Sequence, residues 1–381
     1  MEIEVDKAIE HLSSVAPLCN GRVSPVLYNA RIFYDQGGWV GCAGTDLNTS
    51  LQIGRCEGEW FAVNAAKLLA ALKALPEGSK AKVILDKGGV QIVCGSSRFK
   101  MPTCDPGDYP AFSVAEPGVD PIHLPLSWLI EASSVVSPAV GKDSSKSALT
   151  GIIFEVRKDG ADGKGRKVWV NGCDGRRMIV GSHLAELPEN GNCAEVTASV
   201  PFGVFKALGT LSTGDGVVRV AAGKNTIRIE GGGWVILSRQ VEGKIPDWRM
   251  VLGTGAHRKK TCWTGTAGAL RTAIGQCLLI DDERSRLDWR IEPVGKVKAG
   301  EDEPKGTLQM EAHDMIDGEA KAEAIGDVDG VLEDFHVNGR FVLDALRGEK
   351  DEDEVKLFIY QASMKLHIVR SGYDALVMGM A

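Results

Sequence analysis

The sequence predicts an α+β protein built from three copies of one unit, each with two helices packed on antiparallel strands. Three observations predict it. Val63, Val200 and Val337 are equally spaced, and each is followed at once by a helical run. After every such run come two strand-like segments joined by a tight turn, then a third that closes the unit. The 46 glycines suit many hairpins better than long helices.

In the first unit, apolar spacing predicts a helix from Lys7 to Val15, then strands over Gly38 to Ala43 and Leu47 to Ile53. Phe61-Ala62-Val63-Asn64 leads into a helix carrying Leu68, Leu69, Leu72 and Leu75. Val83 to Leu85 and Val90 to Val93 form a hairpin across Asp86-Lys87-Gly88-Gly89, and Arg98 to Thr103 closes the unit. The second unit repeats this order: a helix over Pro125 to Val136, strands Ile152 to Val156 and Lys167 to Val170, and Val196 to Val200 before Pro201 and a helix with Phe205, Leu208 and Leu211. Its hairpin joins Val217 to Val220 with Thr226 to Ile229, and Trp234 to Arg239 closes it. The third has a helix over Thr266 to Leu279, then strands Leu287 to Ile291 and Thr307 to Ala312 around an acidic stretch read as a solvated hairpin loop, Gly295 to Gly306. Phe335 to Asn338, a helix with Phe341 to Leu343 and Leu346, the hairpin of Val355 to Tyr360 with Lys365 to Val369, and Tyr373 to Met378 complete it. Turn-rich stretches near Ala115 to Gly118 and Gly253 to Gly255 place the domains at 1–117, 118–254 and 255–381.

Apolar residues at 44% and charged residues at 25% describe an ordinary soluble chain. No run of apolar residues is long enough to span a bilayer, and no apolar signal core follows the acidic start, so a cytoplasmic protein with no membrane partner is expected. The nine cysteines show no Cys-x-x-Cys pair and read as free thiols, with no metal and no cofactor. A net charge of −7 argues against long-range electrostatic adhesion to nucleic acid.

Four stretches then carry a resemblance: Gly44-Thr45-Asp46-Leu47; Leu75-Pro76 with Ser97-Arg98-Phe99 and Tyr109-Pro110; Asp174-Gly175-Arg176-Arg177; and Gly243-Lys244-Ile245-Pro246-Asp247-Trp248-Arg249. In this order, on a threefold repeat spanning essentially the whole chain, they resemble the bacterial DNA polymerase sliding clamp, the beta subunit of the replicative polymerase. The resemblance implies a head-to-tail homodimer of three-domain protomers that encircles duplex DNA without reading its sequence. It also implies tethering of DNA polymerase and the clamp loader through short linear peptides. Topology then replaces adhesion, because a closed ring need not hold any phosphate tightly, and the negative net charge is no obstacle.

The resemblance places Arg22, Lys73, Lys142, Lys146, Lys206 and Arg271 toward the phosphates. It places a partner-peptide pocket at Leu149, Cys173, Gly175, Arg176, Arg177, Met178, Pro246, Met250, Val251, Leu376, Val377, Met378 and Met380. The adaptable Met and Leu side chains suit varied ligands, and an Arg there would satisfy peptide carbonyls or a carboxylate. The dimer seam falls on Phe99 and Met101 against Leu279 and Ile280, with Arg98 opposite Asp281, Asp282 or Glu283.

This chain departs from the family pattern in four places. Phe202-Gly203 replaces basic residues, Ser147-Ala148 replaces aromatics, Met250 stands where Arg is common, and the end reads Met378-Gly379-Met380-Ala381 rather than Met-Pro-Met-Arg. Gly379 is expected to loosen the tail relative to Pro. These departures suggest a divergent or accessory member, and they motivate an alternative: a clamp-like interaction scaffold that no longer loads onto DNA. Enzymatic readings find little support. The chain has no phosphate-binding loop, Ser97-x-x-Lys100 lies on a strand without partner motifs, and the acidic runs at Asp281 to Glu283 and Asp351 to Glu354 read as solvated loops.

Overall fold

The computed structural model describes residues 1–20, 24–86, 88–109, 117–159, 165–185, 195–211, 216–253, 260–280, 284–293, 305–314 and 318–380. The unit foreseen in the sequence is present three times, as a strand, a helix, four strands, a helix and three strands. In the first copy these are Glu2–Glu4, Val5–Val15, Asn29–Asp35, Gly38–Thr45, Thr49–Gly54, Glu59–Asn64, Ala65–Lys73, Lys80–Asp86, Gly89–Cys94 and Ser97–Met101. The second runs from Ile122–Pro125 and Leu126–Val136 through Gly151–Asp159, Gly165–Cys173, Arg177–Ala185, Val196–Pro201, Phe202–Leu208, Val217–Ala222 and Thr226–Gly231 to Trp234–Arg239. The third runs from Thr261–Thr266 and Ala267–Cys277 through Arg286–Pro293, Lys305–Asp314, Gly318–Asp329, Leu332–Asn338, Gly339–Ala345, Glu354–Tyr360 and Lys365–Arg370 to Tyr373–Met378.

The repeated Val-Asn pairs have a local cause. Asn64 accepts from the Lys67 amide at 2.9 Å and Asn338 from the Phe341 amide at 3.0 Å, so each Asn caps the second helix of its copy. In the middle copy Pro201 takes that place, its fixed φ suiting a helix start. Helix Val5–Val15 buries Val5, Ala8, Leu12 and Val15, the one-sided spacing of a helix lying on a sheet.

The chain divides into two compact units: Met1–Ile130 with Val156–Arg166 and Ala185–Val241, and Glu131–Glu155 with Lys167–Leu184 and Glu242–Ala381. In the first unit the closing strand of the second copy, Trp234–Arg239, pairs antiparallel with Thr49–Gly54 of the first copy, Ile236 opposite Leu51. In the second unit the closing strand of the third copy, Tyr373–Met378, pairs with Arg177–Ala185 in the same way, Ala375 opposite Ile179. The remaining closing strand, Ser97–Met101, is the edge of its four-stranded sheet. Its counterpart receiving strand, Gly318–Asp329, pairs along one side with Lys305–Asp314. On the other side, among the described residues, it meets Thr261–Thr266 only at Asp327 to Asp329.

Some elements differ from the sequence reading. The first half of each copy holds four strands after its helix, so Asn29–Asp35, Arg177–Ala185 and Gly318–Asp329 went unrecognised. The pair taken from the first copy was also one strand out of step with the pairs taken from the others. The expected strand from Arg98 to Thr103 breaks at Pro102, which has no amide to donate, and Thr103–Cys104 joins Glu59–Asn64 instead. Most of the acidic stretch from Gly295 lies outside the described residues.

Candidate functional site

Some of the residues expected to form the pocket gather in an apolar cluster on one face of the pair Arg177–Ala185 and Tyr373–Met378. Met178 lies directly opposite Leu376, and both are buried with Val180 and Trp248 in one cluster. Trp169, Cys173, Leu252 and Met378 pack against it, partly exposed. Trp248 begins the short helix Trp248–Gly253, which presents Met250 and Val251 to solvent, Met250 at 66% exposure. Leu149 and Pro246 are half-buried. Val377 is fully buried one residue out of phase with Leu376, so it faces the other side of the sheet and does not line the cleft.

Arg177 shares that other side and is fully committed. Its Nε bonds Asp174 at 3.1 Å, its Nη atoms bond Asp344 and the Pro138 carbonyl, and its guanidinium lies 4.0 Å from the Phe341 ring centre. Of the two arginines expected in the pocket, Arg177 is therefore engaged within the fold. Arg176 is the exposed cation of that turn. The turn holds because Asp174 Oδ1 accepts from the amides of Arg176 at 2.8 Å and Arg177 at 3.0 Å, while Gly175 adopts φ +89°.

The chain's end is tied rather than loose. The amide of Met378 donates to Arg176 O at 2.9 Å, that of Gly379 to Met364 O at 2.7 Å, and that of Met380 to His336 O at 2.8 Å. A proline at 379 has no amide for the middle bond, so the expectation that Gly379 frees the tail is overturned.

Sequence reasoning missed Trp169, Trp248, Leu252 and an ion pair between buried Glu155 and partly exposed Arg249. Glu155, 1% exposed, accepts from Trp248 Nε1 at 2.7 Å and from Arg249 Nη1 at 2.8 Å. The family-like run through Asp247-Trp248-Arg249 held two of these residues, whereas nothing in the sequence marked Glu155 as their partner.

Of the cations expected to face DNA, Lys73, Lys142 and Lys206 are exposed, Lys73 and Lys206 on second helices of their copies. Arg271 is partly exposed and paired within the chain, its Nη atoms bonding Asp351 and the Glu349 carbonyl. Arg22 and the side chain of Lys146 lie outside the described residues. Phe202, where a basic residue was noted as usual, is 41% exposed. At the seam positions Met101 is buried and Phe99 half-buried, whereas Leu279 is 81% exposed and Ile280 half-buried. Asp281 to Glu283 lie outside the described residues.

A hollow of about 820 Å³ elsewhere, in the first unit, is lined by Met1, Tyr34, Asp35, Arg55 and Val83. It is of mixed polarity, its Arg55–Asp35 pair is solvent-exposed, and it lacks the continuous apolar floor of the cleft. Among the described residues no three His, Cys, Asp or Glu side chains gather as metal ligands, and no helix is long and apolar enough to cross a membrane.

Three repeated α+β copies, joined closing strand to receiving strand, with an apolar cleft at one such junction, define the sliding-clamp fold. Family models of the DNA polymerase III beta subunit match the chain: the N-terminal domain over residues 1–113 and the central domain over 123–247. The beta sliding clamp of Pseudomonas putida is 25% identical across 98% of this chain and 96% of its own length. That of Escherichia coli K12 is 24% identical across 92% and 90%. Solved structures agree in fold. The Pseudomonas aeruginosa clamp with ligand superposes with TM-score 0.84 at 21% identity, covering 100% of this chain and 99% of that one. A Bartonella birtlesii clamp bound to griselimycin gives 0.85 at 19%, with the same coverage. The chain belongs to the DNA polymerase III beta subunit family.

Proposed function

We propose that two copies of this chain close head to tail into a ring around duplex DNA, acting as a sliding clamp whose cleft tethers a polymerase, a clamp loader and other replication or repair proteins by short peptides. One observation carries the ring. Of three equivalent junctions, two are made within the chain, and the third leaves a donor strand at a sheet edge and a receiving strand that, among the described residues, is paired on its second side only at Asp327 to Asp329. A second copy supplies the missing pairing twice over, which leaves no open edge of this kind.

The repeat supports one register for that seam. Phe99 is the third residue after its hairpin turn, as Ile236 and Ala375 are. In the third copy Ala320 lies opposite Ala312, and we align it with Leu51, which lies opposite Gly44 in the first, across a connection one residue longer. Phe99 of one protomer therefore faces Ala320 of its partner, and Lys100 faces Glu319. In that register Lys321 stands opposite Arg98; Asp281 to Glu283, the acidic partners expected for Arg98, lie outside the described residues. Ile280 occupies the place where the first two copies bury Leu18 and Ala139 against the next repeat, and it is left half-open for the same use.

Lys73, Lys142 and Lys206 serve as weak, screened phosphate contacts, compatible with sliding and with the negative net charge. The copies divide near 1–117, 118–254 and 255–381, the protein works in the cytoplasm, and none of this requires catalysis. Solution mass tests the reading. Light scattering at micromolar concentration returns twice the mass of one chain if it holds. A single chain at every concentration overturns it.

A further inference from the structure

We propose that the Glu155–Arg249 ion pair is the positioning device of the docking cleft: it sets how Trp169 and Trp248 stand and thereby how tightly a ligand binds. The inference rests on the reading of the cleft as a docking site.

Glu155 is almost wholly withdrawn from solvent, where an isolated carboxylate would be costly. It is held by three short bonds, one from Trp248 Nε1 at 2.7 Å and two from Arg249 Nη1, both at 2.8 Å. The guanidinium in turn lies between two indoles, 4.1 Å from the Trp248 ring centre and 4.5 Å from that of Trp169. Those rings stand 6.1 Å apart and are inclined at 52°. One cation thus reads the position of both rings, and one carboxylate reads the position of the cation and of the Trp248 edge.

Stability alone does not call for this arrangement. Well-packed apolar residues of similar volume are commonly as stable as a buried ion pair or more so. A charge pair with directional bonds does add geometry. Among the described residues Arg249 Nη2 has no hydrogen-bond partner, and the guanidinium is seated by Glu155 and by stacking on the two indoles. Trp248 also opens the helix that packs Leu252 into the cleft floor and carries Met250 and Val251 on its open side. Tilting the indole therefore moves the cleft's floor and rim together.

The test uses the full-length protein and griselimycin, the compound bound in a related clamp structure, with affinity measured calorimetrically. R249K keeps the charge and loses the planar stack, and E155Q keeps an acceptor for Trp248 while losing the charge. Each is expected to weaken binding about fivefold, the worth of about 1 kcal/mol for a cation–π contact that is only partly withdrawn from solvent. Combined, they lose less than the product of the two effects, because both act through one pair. Tryptophan emission shifts in each variant, while the assembly mass stays that of the parent. Should E155Q fail to fold, R249K decides alone. Parent-like affinity in folded R249K overturns the positioning role. A parent protein that does not bind griselimycin, or whose binding survives Leu376→Asp, overturns the docking reading itself and this proposal with it.

Discussion

The Gly379 amide donates to the Met364 carbonyl at 2.7 Å, binding the end of the chain to the turn before strand Lys365–Arg370. Flanking bonds from Met378 and Met380 reach two further elements, so the last wall of the cleft is held at three points. A Cβ at 379 would lie 3.0 Å from Met364 Cε and 3.2 Å from His336 O, so the site admits glycine most easily. Gly379→Pro removes one bond and adds crowding. It is expected to cost about 1–2 kcal/mol and to release the Met380 amide to rapid hydrogen exchange. Protection unchanged in the proline variant would show that the tail is held by something else.

Arg176 and Arg177 are neighbours in sequence and opposites in role. Arg177 is 11% exposed and anchors Asp174, Asp344, the Pro138 carbonyl and the Phe341 ring. Arg177→Ala is expected to destabilise by about 3 kcal/mol, as when one partner of a buried pair is removed. Arg176→Ala, on the surface, stays within about 0.5 kcal/mol. Urea unfolding of the two variants separates them, and equal midpoints would contradict the assignment.

Charge reversal at the seam tests its register. In the proposed register Lys100, whose Nζ lies 3.6 Å from Asp86 of its own chain, would meet Glu319 across the seam as a rim pair worth about 0–1 kcal/mol. K100E and E319K each weaken the dimer up to about fivefold at low salt, and the double reversal restores it. Sedimentation of the three variants reads this directly. A double variant weaker than either single one would mean the strands meet in another register.

The repeat was legible in the sequence because its signals are local: the Asn caps, the hairpin turns and the closing strands recur in each copy. The same turn even recurs with different residues. Asp46 accepts from the Asn48 and Thr49 amides as Asp174 does from Arg176 and Arg177, with Leu47 at φ +78° where Gly175 has φ +89°. Strand Gly318–Asp329 was hidden by its Ala, Glu and Lys content, which favours helix until neighbouring strands impose extension. In the cleft, Met178 and Leu376 followed from the family match, but Glu155 did not. A carboxylate on a strand reads as solvent-facing until a distant Arg and Trp are folded onto it. The ties of Arg177 were hidden for the matching reason: its partners Pro138 and Asp344 are remote in sequence.

Stability is expected to fall at both ends of the pH range. Burial pushes the Cys19 thiol up to about 12 and Cys56 up to about 11, and lifts Cys42 well above its usual range. These folded-state values exceed the unfolded ones, so their contribution is complete below about pH 9 and is lost as pH rises toward 12. Between those limits each such thiol removes about 1.4 kcal/mol per pH unit. On the acid side, burial alone would raise Asp288, but hydrogen bonds from Arg286 and His336 outweigh it and hold the carboxyl below its usual 3.8. Its contribution is present above that value and disappears as pH falls through the depressed one. Urea midpoints from pH 8 to 11 follow the alkaline limb, which becomes shallower in a Cys19→Ala, Cys56→Ala variant. An unchanged slope would rule the thiols out as its source.

The most direct measurement is retention on DNA of two shapes. Dissociated chains are allowed to reassociate in the presence of a nicked circular plasmid, the mixture is gel-filtered, and half the sample is then cut once. If topology holds the protein, it travels with the circle at moderate salt and leaves after the cut. Equal retention before and after the cut would show that adhesion holds it, and no retention on the circle would leave a scaffold that does not enclose DNA.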